Sequence, residues 1–297
     1  MRDTGGCRRD RSELINRIIA RRISSRVVTV LEGTNDTSCI RLIVRGDDMG
    51  SCHAANEACI RCYRDGILRS VEVMVPAPWY PEAVQMLREH PELDVGVHLT
   101  LTSEWEACKW GPVTHAPSLC DRRGRFLPMT SQRPDFPPGT GFLESGYRLD
   151  EVEAELRAQI EIALDDIPQV SHLSSHMGTP VAAPDLRALT ERLSREYGLP
   201  LEHEGVQFTA GLGGQEASAE RKEAILLEIL DRLTPGTWLL VDHPGLDTPE
   251  MCALGHIGYE HVAEERAAVT AAFTSPRVVQ RIRERGIQLI SYRHLYR

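Results

Sequence analysis

The sequence predicts an α/β protein, an irregular TIM-like (β/α) barrel of about seven parallel strands. Three observations carry this expectation. Short runs rich in Val, Ile and Leu recur at 41–46, 71–75, 94–99, 169–173, 199–202, 237–241 and 287–291. Segments of helical spacing lie between them. Four of the runs lead into an acid or a histidine, and in parallel α/β proteins the strand C-termini share one face where sites are built. An open doubly wound sheet is the competing arrangement, but strand–helix repetition of this length suits a barrel better.

In chain order, residues 1–38 stand apart. Eight arginines from Arg2 to Arg26 face only Asp3, Asp10 and Glu13 up to position 30, and Ile15, Ile18, Ile19 and Ile23 could line a short basic amphipathic helix. This segment reads as a poorly ordered extension without assigned function, and residues 39–297 as a single catalytic domain. The run Arg41-Leu42-Ile43-Val44-Arg45-Gly46 then leads into Asp47-Asp48-Met49-Gly50. Cys52, Cys59 and Cys62 fall on one face of a predicted helix. Cys59-Ile60-Arg61-Cys62 is a C-x-x-C without a second pair to complete a zinc site, so the eight cysteines read as packing residues, reduced in the cytoplasm.

Pro81 can open a helix carrying Val84 and Leu87. Asp94-Val95-Gly96-Val97 leads into His98. Residues 102–148 break the rhythm: they are rich in Gly and Pro, contain Trp105 and Trp110, and are expected to fold over the mouth of the barrel as a loop insertion. A helix is predicted behind an N-cap at Asp150, with Val152, Leu156, Ile160 and Leu164 on one face. Gln169-Val170-Ser171-His172-Leu173 leads into Ser174-Ser175-His176, with Ser174, Ser175 and Gly178 marking the exit from the strand. Helical stripes follow at Leu186, Leu189, Leu193 and Tyr197, and at Ile225, Leu226, Ile229, Leu230 and Leu233. Trp238-Leu239-Leu240-Val241 leads into Asp242-His243-Pro244-Gly245.

Net charge of −9 makes a polyanion such as DNA a poor partner, and no apolar run approaches the ~20 residues of a membrane span. The chain is therefore expected to be soluble and cytoplasmic, with a small-molecule or oligosaccharide substrate and a homodimer left open as its assembly.

The strand-end residues suggest the chemistry. Adjacent Asp47 and Asp48 resist double ionisation unless a cation is near. One could bind a metal while the other takes a proton from its water. His172 and His176, four apart, share one face of a strand or helix; His176 ranks as the ligand and His172 as its neighbour. Each feature alone has a plain structural reading: an acidic turn, a core histidine, a turn histidine. Their joint position at strand ends favours Asp, His and His around one divalent ion, Mg²⁺ or Zn²⁺.

Four motifs, Gly46-Asp47-Asp48-Met49-Gly50, Gly96-Val97-His98-Leu99-Thr100-Leu101, Ser171-His172-Leu173-Ser174-Ser175-His176 and His243-Pro244-Gly245, occur in this order. In them the chain resembles the YdjC-like family of carbohydrate deacetylases, which includes the chitooligosaccharide deacetylases, from about Ile40 to Tyr292. The resemblance implies a barrel-like fold, one divalent metal and hydrolysis of an acetamide on an amino sugar. It further implies Asp48, His98 and His176 as metal ligands, Asp47 as general base and His243 as general acid or oxyanion partner. His172, Trp79, Trp105, Trp110 and Arg266 are candidates for substrate contact. The third motif departs from the D-S-H-Q-H-x-H of many relatives. A phosphoester hydrolase using the same ligands, with Arg45 and Arg266 near the phosphate, and a non-catalytic carbohydrate binder are the alternatives.

Overall fold

The structure, a computed structural model, describes residues 39–201 and 203–296. The basic segment 1–38 lies outside the described residues. Seven strands form one sheet: β1 (Ile40–Met49), β2 (Ser70–Val73), β3 (Asp94–Leu99), β4 (Val170–Ser175), β5 (Val206–Phe208), β6 (Gly236–Asp242) and β7 (Gln288–Ile290). Every ladder is parallel. The order is β4-β3-β2-β1-β6-β5, with β7 also paired to β1, and the sheet curls into a half-barrel. On one edge of β1, β7 pairs with Arg41–Ile43 and β2 takes over at Arg45; β6 follows the other edge from Ile40 to Gly46.

The helices are α1 (His53–Asp65), α2 (Tyr80–Glu89), α3 (Leu149–Asp166), α4 (Pro184–Tyr197), α5 (Ala219–Arg232), the single turn α6 (Pro249–Cys252), α7 (Val262–Phe273) and α8 (Pro276–Glu284). Their boundaries follow local chemistry. Pro184 stands at the start of α4, where no N–H is needed, and Gly198 ends it in the left-handed region at φ 62°. Ser218 and Ser275 cap α5 and α8 by accepting N–H bonds from Arg221 and from Arg277 and Val278. Asp150 is not the cap of α3; the helix starts after Arg148, and Asp150 and Glu151 lie in its first turn, where acids suit the helix dipole.

The apolar stripes face the sheet. Val152, Leu156, Ile160, Leu186, Leu189, Leu193, Leu226 and Leu230 are buried with Leu42, Val44, Val71, Val95 and Val97 in the main core. Each such side chain contributes about 1.5–3 kcal/mol by leaving water. The opposite side of β1 and β6 carries a smaller cluster of Ile43, Leu239 and Tyr292, with Val206, Val241 and Ile290 packed against it. Those residues alternate with Leu42, Val44 and Leu240, as the two-residue strand period requires. They form an apolar floor beneath the polar residues of the same face.

Two expectations need correction. Residues 199–202 were predicted as a strand, but the ladder strand in this region is Val206–Phe208. Leu173 N–H still donates to Pro200 O at 2.8 Å, so the segment runs beside β4. Pro200 has no N–H to return, which limits a ladder there; Leu199 serves the core instead. The strand expected at 169–173 runs on through Ser175, so of Ser174, Ser175 and Gly178 only Gly178 lies in the exit turn. The chain turns at His176–Val181, with Met177 and Gly178 at φ 51° and 68°. Among the described residues, no helix is long and apolar enough to cross a membrane.

Candidate active site

The C-terminal end of β1 gathers both aspartates. Its register with β2 shifts between Gly46 and Met49, and Asp48 takes φ 66°, in the left-handed region. In a regular strand the two carboxylates would point to opposite faces; the bulge and the turned residue aim both into one opening. A non-glycine residue in that region costs of order 1–3 kcal/mol, least for Asn and Asp. Gly50 completes the turn at φ 101°, where a Cβ would press on Met74 O at 3.1 Å. Its N–H donates to buried Asn56 Oδ1 at 2.6 Å.

Asp48, His98 and His176 converge. One donor atom from each lies within 4.8 Å of the others, and all three residues are buried. His98 Nε2 is 3.6 Å and His176 Nδ1 3.2 Å from Asp48 Oδ1. Asp48 Oδ1 is buried without a hydrogen-bond partner. Such an atom costs about 1–3 kcal/mol unless something fills the gap, and more when charged. The opposite nitrogens of the two rings are engaged. His98 Nδ1 meets Ser174 Oγ at 2.7 Å, and His176 Nε2 meets Glu104 Oε2 at 2.9 Å. An oxygen and two imidazole nitrogens aimed at one buried point, one of them orphaned, fit a divalent cation.

Neighbouring charges support this reading. Burial alone would raise the Asp48 carboxyl, but His243, Arg266 and His176 hold it well below the usual carboxylate range. Burial pushes His98 down. Burial also opposes charge on His176, yet Glu104 and Asp48 push it up to about 10. A proton and a metal ion compete for such a nitrogen.

Around these three stand Asp47 and His243. Arg45 Nε and Nη2 donate to Asp47 Oδ1 and Oδ2 at 2.7 and 2.9 Å, a fork that fixes the carboxylate plane. Asp47 Oδ2 lies 3.9 Å from His98 Nε2. His243 Nε2 is 3.9 Å from Asp48 Oδ2 and its Nδ1 3.7 Å from Asp242 Oδ1, with the ring 41% exposed. It is the accessible histidine of this group. Burial opposes its charge, but the Asp48 and Asp242 carboxylates raise it above the ordinary imidazole value.

The other expected residues are buried around the site or stand apart from it. His172 is fully buried, with Nε2 2.6 Å from Glu72 Oε1 and Nδ1 2.7 Å from Ser171 Oγ. Arg266, on α7, donates from Nη2 to Asp48 Oδ2 at 2.8 Å and lies over the Trp105 ring at 4.9 Å. Trp105 and Trp110 are 1% and 4% exposed, so neither offers an open face to a sugar. Trp110 Nε1 donates to Thr102 O at 2.9 Å, and its ring lies 6.2 Å from that of His176. Trp79 is 38% exposed but sits beside His53, 5.5 Å between ring centroids, at the approach to α2.

A family profile described as YdjC-like protein matches residues 41–284. The chain belongs to the YdjC-like family. A carbohydrate deacetylase of Geobacillus stearothermophilus is 26% identical over 86% of this chain and 98% of its own length. Another from Thermus thermophilus is 34% identical over 72% of this chain and 80% of its own. Among solved structures, an Enterococcus faecalis V583 protein named as a candidate cellobiose-phosphate cleavage protein matches at TM-score 0.68 and 23% identity, covering 87% of this chain and 99% of that one. That likeness establishes the fold.

For this YdjC-like chain the sequence reading missed Glu72, Ser174, Glu104 and the pairing of Arg45 with Asp47. Glu72 offered one signal, an acid at the second position of the apolar run 71–75. Glu104 offered none, because it sits in a stretch without periodicity. The C-x-x-C of α1 also takes its place. Cys52 caps the helix, accepting from Ala55 N–H at 3.4 Å, while burial pushes the Cys52 and Cys62 thiols up to about 11 and about 12. Burial keeps such thiols neutral, which suits packing.

Proposed function

We propose that this chain is a metal-dependent hydrolase that removes acetyl groups from N-acetylated amino sugars or short oligosaccharides. The observation that carries the proposal is the convergence of Asp48, His98 and His176 on one point, with Asp47 and His243 beside it. The names of the relatives, carbohydrate deacetylases both, supply the substrate class.

Asp48, His98 and His176 would hold one divalent ion, Mg²⁺ or Zn²⁺. Such an ion, when bound, supplies Lewis acidity toward water and toward an acyl oxygen. Asp47 is the general base: its carboxylate, fixed by the Arg45 fork, removes a proton from the attacking water. His243 is the general acid: the Asp48 and Asp242 carboxylates raise its affinity for protons, and Nε2 delivers the proton to the leaving amine. Asp242 orients the ring from the Nδ1 side. Trp110 and Arg266 close the site from the loop and from α7, excluding water around the ligands.

The phosphoester alternative relied on Arg45 and Arg266 to meet phosphate. Both guanidiniums are turned to carboxylates, Asp47 and Asp48, which favours a neutral acyl substrate. The catalytic unit proposed runs from residue 39 to 297, with 102–148 as its loop insertion. Buried thiols such as Cys59 and Cys62 suit the reducing cytoplasm, the compartment we propose. The test is a substrate screen on the metal-loaded enzyme. Acetate release from N-acetylated oligosaccharides and none of phosphate from phosphomonoesters is expected; the reverse pattern would refute the assignment.

A further inference from the structure

Beneath the candidate metal ligands lies a buried polar layer that the proposed chemistry leaves unused. Glu72 on β2 is fully buried on the inward face of the sheet. Its Oε1 meets His172 Nε2 at 2.6 Å and lies 3.8 Å from Arg45 Nε. Its Oε2 accepts a hydrogen bond from Ser174 Oγ. Space for this is made by Gly96 on the intervening strand β3, where any Cβ would collide with the Glu72 carboxylate and the His172 ring. An acid enclosed in the sheet at this cost in desolvation calls for a role.

The direction of the hydrogen bonds supplies one. An ionised carboxylate only accepts, so the Ser174 hydroxyl hydrogen must point to Glu72. The serine oxygen then has only lone pairs left for His98 Nδ1, 2.7 Å away. His98 must therefore carry its proton on Nδ1, which leaves Nε2 bare and facing Asp48 Oδ1. We propose that Glu72, acting through the Ser174 hydroxyl, is a positioning residue that fixes the tautomer and angle of His98 for metal binding. This rests on the metal-site reading above and deepens it. The carboxylate that steadies His176 is in direct contact, Glu104; the one that steadies His98 is one hydroxyl removed.

Three variants separate this from a merely structural role. Ser174→Ala cuts the link while leaving Glu72 with His172 and Arg45. Ser174→Thr keeps the hydroxyl. Glu72→Gln lets the side chain donate and frees the serine hydrogen to turn toward His98. Two readouts are taken: Zn²⁺ affinity of the metal-free protein by calorimetric titration, and the His98 tautomer from ring ¹⁵N shifts without metal. The expected result is a ~10–100-fold loss of Zn²⁺ affinity for Ser174→Ala and Glu72→Gln, with Ser174→Thr close to wild type. The double variant Ser174→Ala with Glu72→Gln should lose little more than either single one, since both break one chain. In the metal-free wild type the His98 signal should be that of the Nδ1–H form, and that preference should vanish in Ser174→Ala. A wild-type Nε2–H tautomer, or Ser174→Ala retaining both the tautomer and the affinity, would overturn the proposal. Absence of Zn²⁺ binding in the wild type would instead sink the metal-site reading, and the ring shifts would still decide the relay.

Discussion

At the scale of single residues, function here depends on which way a few polar groups are turned. Asp47 and Asp48 are neighbours in sequence, yet Arg45 holds one and Arg266 the other. They are consequently suited to different tasks, a division that follows from environment and not from residue type. Replacing Asp47 with Asn removes the proton acceptor but keeps the shape. Bound metal, measured by elemental analysis, should be unchanged while turnover falls ~10²–10⁴-fold; an Asn variant with full turnover would end the base assignment. Most residues of this cluster were legible because each follows an apolar run, and strand ends in parallel sheets meet. Their partners were not. Ser174 and Glu72 are 102 positions apart and join only through β3 between them. Ordinary spacing rules carry no such information.

At the scale of elements, the long segment 102–148 shows how a loop without α-helix or strand ladder is held in place. Helix α3 presents Glu151, Glu155 and Gln159 at four-residue intervals on one side. Glu155 accepts from the N–H groups of Val113 and Thr114 at 3.1 and 3.0 Å, and Glu151 from Ser118 N–H at 2.8 Å. Gln159 exchanges two bonds with the Thr100 backbone, at 2.9 and 2.8 Å. The helix thus acts as a template, satisfying backbone groups that a loop cannot satisfy itself. The apolar stripe of α3 is readable from its period; the polar row carries no such signal, although Glu155 and Gln159 are fully buried. Glu155→Ala would leave two inward N–H groups without a partner, at ~1–3 kcal/mol each. Hydrogen exchange over 110–119 should accelerate while the strands stay protected; unchanged protection there would refute the template role.

At the scale of the whole molecule, the half-barrel buries charge beneath its mouth, and stability should depend on pH accordingly. Burial alone would raise the Glu72 carboxyl, but His172 and Arg45 lower it to about 2. Its folded value lies below the unfolded value of about 4.3. The unfolded chain therefore binds the proton first, and the contribution of Glu72 is present above about 4.3 and lost as pH falls toward 2. Denaturation midpoints should drop across that window, and Glu72→Gln should flatten the drop; an equal slope in both proteins would count against it. The parallel barrel was the most legible level, since strand–helix repetition states it many times over. The strand beside β4 was misplaced because Leu199 and Leu201 are apolar for the core's sake while Pro200 limits pairing. The central claim is that Asp48, His98 and His176 grip one ion, and elemental analysis of wild type beside Asp48→Ala and His176→Ala tests it most directly. The account predicts about one equivalent of divalent metal in the wild type and a loss of both metal and acetate release in each variant. Full deacetylation by metal-stripped protein, or metal retained by both variants, would contradict it.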